Sequence, residues 1–191
     1  MALASPAPRV LADYLPHTKV ANIALVLGGS VFVGLSAQVA IPLPFTPIPL
    51  TLQTFAVLLV GAALGSWRGM ASLLVYAVAG SAGVPWFSAG SSGWGGASYG
   101  YILGFIVAAG VVGRMAERGA TLTPLRTAAL MVVGNVVIYA VGVTYLKFAI
   151  DAPWSTALSL GVTPFLLGDA LKIALAAGLF PATWRLTQRL R

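Results

Sequence analysis

Three features of the sequence predict an all-α integral membrane protein. Hydrophobic residues make up 59% of the chain and charged residues only 8%. The mean hydropathy is +0.93. The charges also fall almost entirely between long apolar runs instead of within them. A soluble domain needs far more polar surface than this. At about 20 residues per helix crossing, 191 residues leave room for five to seven crossings once tails and loops are subtracted. That predicts one transmembrane domain over residues 1–191, with a cytoplasmic segment at 1–19 and a cytoplasmic tail at 186–191.

Taken in order, apolar runs bounded by Gly, Pro or Arg extend from Val20 to Ile41, Thr51 to Trp67, Met70 to Val84, Tyr99 to Met115, Thr127 to Leu146 and Thr163 to Trp184. They predict a bundle of six transmembrane helices. The second and third runs are short and separated only by Ser66-Trp67-Arg68-Gly69, so a tilted hairpin or a partly re-entrant pair is an alternative there. With both termini cytoplasmic, Arg9, Lys19, Arg68, Arg114, Arg118, Arg126, Arg185, Arg189 and Arg191 all lie inside, and only Lys147 lies at the outer end. That is the positive-inside pattern of a multi-pass protein of the cytoplasmic membrane, and an odd number of helices would scatter it. Lys147 stands four residues from Asp151, a spacing that lets the two neutralise each other.

Two of the outer connections carry no charge. The first, Pro42 to Pro49, holds four prolines that keep it extended and unable to continue a helix. The second, Pro85 to Gly96, mixes Gly and Ser with Trp86, Phe87 and Trp94. Those rings serve either as an interfacial belt or as a lid over a ligand. The first helix is dense in small residues. Spacings such as Ala24 to Gly28 permit close approach by another helix, either from this bundle or from a separate membrane subunit docking at Ala24 and Gly28.

The strongest site signal is in the last run. Asp169 and Lys172 are its only opposed charges, and three residues apart on a helix they share a face. A lone charge at the bilayer centre costs about 2.5–3.5 kcal/mol on insertion scales, and such residues pair, face the bundle interior or line a substrate path. The pair either meets a polar guest or holds helices together. Asp169 stands some six residues into the predicted helix, beneath the outer loops, which favours the lid for the Trp-rich connection.

Other chemistries lack their residues. Without cysteine there is no disulfide, thiol nucleophile or thiolate metal site, and with one histidine, His17, a His-centred metal site or triad has no basis. No phosphate-binding loop is present, so the chain cannot hydrolyse ATP unaided. The net charge of +7 is spread singly between spans, unlike a nucleic-acid-binding patch. No cofactor or metal is called for. The start of the chain also lacks the form of a cleaved signal peptide.

Several motifs carry a resemblance. Pro44-Phe45-Thr46-Pro47-Ile48-Pro49 runs into Leu50-Thr51-Leu52-Gln53-Thr54-Phe55. After it come Gly83-Val84-Pro85-Trp86-Phe87, Gly96-Ala97-Ser98-Tyr99-Gly100-Tyr101 and, in the last run, Pro164-Phe165-Leu166-Leu167-Gly168-Asp169-Ala170-Leu171-Lys172. In this order and over this length the chain resembles the BioY family, the biotin-specific substrate-binding (S) components of energy-coupling-factor (ECF) transporters. The family typically has Gly-Pro-Thr-Gly-Gly-Tyr where this chain has Gly96 to Tyr101, so Tyr99 replaces a glycine. The Asp-x-x-Lys pattern of the last helix is matched by Asp169 and Lys172, and the resemblance implies that these contact biotin. It implies as partners a transmembrane coupling protein and two ATP-binding cassette ATPases.

Biotin presents two ureido N–H donors, one carbonyl acceptor, an apolar ring and chain, and a carboxylate. An Asp acceptor and a Lys donor suit it, since charge-assisted hydrogen bonds are the stronger kind in a desolvated cavity. Gln53, carried by the motif, and Asn135 are amides that can add paired contacts or else bond helix to helix. Trp86, Phe87, Trp94 and Tyr101 are candidate walls or interface anchors. Alternatives are an S component for another small vitamin, an intramembrane enzyme using Asp169 and Lys172 as an acid–base pair, or a purely structural subunit.

Overall fold

Helix boundaries follow local signals in the sequence. In the computed structural model, which describes residues 9–16 and 18–189, α1 (Lys19–Ala37) begins where the Thr18 hydroxyl accepts from the Ala21 N–H at 3.1 Å. A 3₁₀ turn at Leu11–Tyr14 precedes it. His17, Arg191 and the outer parts of the 1–19 and 186–191 segments lie outside the described residues.

The proline-rich connection folds as a hairpin closed by a two-residue ribbon. Strand β1 (Ala40–Ile41) pairs antiparallel with β2 (Leu50–Thr51), matching Ala40 with Thr51 and Ile41 with Leu50. Helices α2 (Gln53–Leu64) and α3 (Ser66–Ser81) follow, separated only by Gly65, whose φ of +86° breaks the chain direction. The new start of α3 is capped from a distance: the Ser66 N–H donates to Glu117 Oε1 at 2.7 Å, so a carboxylate sits at a helix N-terminus. Then come α4 (Tyr99–Ala116) and α5 (Pro124–Ala149), the latter entered through Thr123 as cap and Pro124 in the first turn.

A short helix, α6 (Trp154–Gly161), was not among the predicted elements, because eight residues are too few to register as a span. A 3₁₀ turn at Thr163–Phe165 leads into α7 (Leu166–Arg189). Pro164 occupies that turn, so α7 starts three residues later than predicted and Asp169 is its fourth residue rather than about its sixth.

Among the described residues, four stretches are long and apolar enough to cross a membrane: Lys19–Ala37, Tyr99–Ala116, Pro124–Ala149 and Trp154–Thr187. The chain is a multi-pass membrane protein. The predicted second and third crossings are short, α2 with 12 residues and α3 with 16. At 1.5 Å per residue they reach roughly 18 and 24 Å, less than the ~30 Å hydrocarbon core.

Helix α4 is the centre of the bundle and packs on α2, α3 and α5, while α1 leans on α3 and α7 on α5. Close approach between α2, α3 and α4 rests on glycine. A Cβ on Gly61 would lie 2.8 Å from the Ala109 carbonyl oxygen, and one on Gly69 would lie 3.0 Å from Gly61 Cα. Ser30 adds a bond from α1 to α3, its hydroxyl donating to the Ser72 carbonyl at 2.7 Å.

The arginine-rich end of the bundle is closed by the N-terminal turn. Arg68 is buried and donates to Asp13 at 3.3 Å and to Asn22 Oδ1 at 2.9 Å. The Tyr14 ring lies 5.8 Å from that of Trp184, tilted by 55°, and the Trp184 indole N–H donates to the Thr121 hydroxyl. At the other end Lys147 is not paired with Asp151. Its ammonium sits 4.5 Å from the Phe148 ring centroid and 5.6 Å from that of Trp154, and Asp151 takes the turn after α5 with φ +47°. The three ion pairs among the described residues are Asp13–Arg68, Glu117–Arg114 and Asp169–Lys172.

Three outcomes are expected. Gly61→Ala forces backbone apart and should lower unfolding stability in mixed micelles by about 1–3 kcal/mol. Gly178→Ala, where a Cβ meets nothing within 4 Å, should stay within about 0.5 kcal/mol. Burial alone would raise the Asp13 carboxyl. The backbone N–H groups of Arg9 and Val10, with the Arg68 guanidinium, outweigh it and hold the group below its ordinary 3.8. A depressed folded value stabilises above the unfolded one and is lost as pH falls through it. The melting-temperature gap between wild type and Asp13→Asn should therefore be widest near neutral pH and shrink by pH 3.

Candidate ligand-binding site

A cavity of about 190 Å³ opens at the loop end of the bundle, between α2, α4, α5, α7 and the α3–α4 connection. One water needs roughly 10–15 Å³, so the space suits a small organic molecule rather than a lone solvent molecule. Five of the predicted site residues line it: Gln53, Phe87, Tyr101, Asp169 and Lys172. Trp94 joins them from the loop, with 78% of its surface exposed. Trp86 and Asn135 do not line it. Trp86 packs against Gly34 of α1 and donates its indole N–H to the Tyr76 carbonyl, and Asn135 is buried one helical turn beyond Tyr139 on α5. Ala24 and Gly28 lie on the exposed face of α1, away from the cavity.

The polar floor is built from three elements. Lys172 donates to the Thr51 carbonyl at 2.9 Å and to the Thr54 hydroxyl at 2.8 Å, and it lies 3.5 Å from Asp169 Oδ1. An ammonium has three N–H bonds, so each of these has a protein acceptor. Asp169 Oδ2 accepts from the Tyr139 hydroxyl. A carboxylate offers about four lone-pair positions, so Asp169 keeps capacity to accept more, while two Lys172 N–H bonds are committed at 2.8–2.9 Å and the third meets Asp169 only at 3.5 Å, beside the cavity that Lys172 lines. As an ion pair the two bring no net charge to the cavity, and Asp169 offers it acceptor positions.

Gln53 is oriented the same way. The Tyr76 hydroxyl lies 3.1 Å from the Trp86 carbonyl, which can only accept, so Tyr76 donates there and accepts from the Gln53 amide nitrogen at 2.8 Å. This leaves Gln53 Oε1 toward the cavity as an acceptor. No buried polar side-chain atom among the described residues lacks a partner, so the unbonded oxygen is one that the cavity reaches. Tyr101 is committed elsewhere, its hydroxyl donating to the Gly161 carbonyl at 2.8 Å. Its ring joins Phe87, Tyr99, Ile102, Phe105 and Phe165 as wall. At the mouth stand Ser92, Gly93 and Ser98, and Gly93 takes positive φ, as do Gly90 and Gly95 in the same loop.

Residue-type reasoning passed over Tyr76, Tyr139, Thr51 and Thr54. A tyrosine in an apolar helix reads as core until its hydroxyl partner is known. Tyr139 alone had a signal, since it lies one turn from the singled-out Asn135.

The sequence model of the BioY family matches residues 10–189. The chain belongs to the BioY family. Among BioY proteins it is 31% identical over 164 residues to the biotin transporter BioY2 of Lactococcus lactis, covering 84% of this chain and 88% of that one. It is 32% identical over 161 residues to the biotin transporter BioY of Rhizobium etli, covering 79% and 86%. Its fold matches the crystal structure of the S-component for biotin from an ECF-type ABC transporter, with a TM-score of 0.77 over 87% of this chain and 92% of that one, at 22% identity. The BioY resemblance seen in the motifs thus holds over the whole described chain.

Tyr76→Phe would leave the Gln53 amide short of a partner, while the Trp86 carbonyl keeps the Gln38 amide at 3.2 Å. The expected cost is about 1–3 kcal/mol of unfolding stability. Because the ring is retained, near-ultraviolet circular dichroism at low temperature should stay native.

Proposed function

We propose that this protein captures biotin at the outer face of the cytoplasmic membrane as the S component of an ECF transporter. The observation that carries this reading is the cavity's chemistry in a BioY chain: hydrogen-bond acceptors at Asp169 and Gln53, closed round by aromatic and aliphatic walls. The BioY relatives compared above are transport proteins and not enzymes. Biotin's ureido N–H groups meet the acceptor floor. Its apolar ring and chain follow the walls, and its carboxylate points to the mouth, where the hydroxyls of Ser92 and Ser98 and the loop's amides can donate to it. Lys172 holds this floor in register without spending a donor on the carboxylate.

In this reading α2 and α3 are tilted crossings, which brings the total to six and leaves both termini cytoplasmic, in agreement with the one-sided arginines. Energy comes from partners: a transmembrane coupling protein and two ATP-binding cassette ATPases. Ala24 and Gly28 supply a small-residue face for the coupling protein, and a Cβ on Gly28 would meet nothing within 4 Å.

Titration calorimetry on detergent-purified protein tests this. Biotin should bind and raise the melting temperature, whereas riboflavin and thiamine should not. Asp169→Asn should weaken biotin by about 1.5–3 kcal/mol, or roughly 10- to 150-fold, the usual worth of a hydrogen bond to a charged group. Undiminished affinity in that variant, or no heat with biotin in wild type, would sink the reading.

A further inference from the structure

Tyr99 opens α4 at the cavity mouth and is held from two sides. Its hydroxyl shares a 2.9 Å hydrogen bond with Ser81 Oγ on the last residue of α3. Its ring lies 6.5 Å from Phe87 and 6.1 Å from Tyr145. On the open side it meets Trp94 at 6.0 Å and 36°. Trp94 has no second ring partner among the described residues, and a Cβ on Gly93, Gly95 or Gly96 around it would meet nothing within 4 Å. One backbone bond, from the Gly93 N–H to the Gly80 carbonyl at 2.9 Å, anchors the segment just before Trp94. Beyond it, Trp94 to Gly96 are loosely packed apart from Tyr99, and loosely packed segments open first.

We propose that Tyr99 is the residue that latches the cavity: its ring retains Trp94 across the mouth, its hydroxyl ties that latch to α3, and together they set how slowly ligand leaves and how long a tail the site admits. The proposal rests on the biotin reading, because the carboxylate end is what lies under Trp94. A tail extended through that carboxylate must pass between Trp94 and Tyr99.

The test is stopped-flow dissociation of biotin from wild type, Trp94→Ala, Tyr99→Ala, the double variant and Tyr99→Phe, together with equilibrium binding of biotin amidated through its carboxyl by lysine. An aromatic pair of this kind corresponds to about a 2- to 12-fold change in an equilibrium or rate. Trp94→Ala and Tyr99→Ala should each speed release by that factor, and the double variant should be no faster than the faster single one, since both remove one contact. Tyr99→Phe keeps the ring and loses only the Ser81 bond, so it should fall between wild type and Tyr99→Ala. The lysine amide should bind Tyr99→Ala more tightly than wild type.

Trp94 is too exposed for its removal to unfold the protein, so Trp94→Ala reads the latch even if Tyr99→Ala folds poorly. Release unchanged in Trp94→Ala, or strictly additive effects in the double variant, would overturn the latch while leaving biotin binding standing. A wild type that does not bind biotin would overturn the functional reading and the latch with it.

Discussion

An ammonium in hydrocarbon must find acceptors for all of its protons, and where Lys172 finds them arranges the loop end of this protein. Its carbonyl partner, Thr51, belongs to the hairpin strand, and its hydroxyl partner, Thr54, to the first turn of α2. Asp169, three residues earlier on the same face, reaches across to Tyr139 of α5. One short stretch of α7 is thereby bonded to a strand and two helices. Helix α7 otherwise packs well on α5 and sparsely on α2, so polar bonds hold open a gap that apolar packing would have closed. The cavity occupies that gap.

The other half of the bundle does the opposite. Around α4, glycines and alanines bring backbones into direct contact, as at Gly61 against Ala109. In a membrane, lipid tails are as apolar as the side chains, so association gains come from close packing rather than from exclusion of water. A rigid half built on small residues and an open half braced by hydrogen bonds divide the labour between scaffold and site. The Arg68–Asp13–Asn22 cluster closes the far end of the rigid half, so neither arginine nor carboxylate there is left to the apolar interior.

The membrane class, the four long spans and the Asp169–Lys172 pair were legible in the sequence because each is a sharp contrast with its surroundings: long apolar runs between cations, or two charges in one apolar run. The ends of α2 and α3 were less legible, because the Gly65 break depends on a positive φ and on a cap contributed by Glu117, 51 positions away. Helix α6 was invisible to span-length reasoning, and the proline-rich loop gave no sign of its two-residue ribbon. Trp86 was singled out as a wall on residue type, yet its ring fills the space left by Gly34 of α1. A tryptophan's role depends on which small residue faces it, and that is a long-range property. Tyr139 and Tyr76 escaped for the same reason: what matters about each is a hydroxyl partner on another helix.

The neutrality of the Asp169–Lys172 pair bears on how such a site tells ligands apart. A free ammonium at the floor would draw in any small anion, since charge attraction at low dielectric is strong and weakly directional. In the biotin reading, with the ammonium turned to Thr51, Thr54 and Asp169, the floor favours a ligand that brings N–H donors in the right places and leaves unpaired acceptors for one that does not. Discrimination by unsatisfied buried polar groups is steeper than discrimination by apolar shape. A negative charge on the ligand is then best accommodated at the mouth, nearer to water and to the glycine-rich amides. In the biotin reading, recognition of the ligand's donors falls to α2, α5 and α7 at the floor, while the Tyr99 end of α4 and the loop before it govern how slowly ligand leaves and how long a tail is admitted.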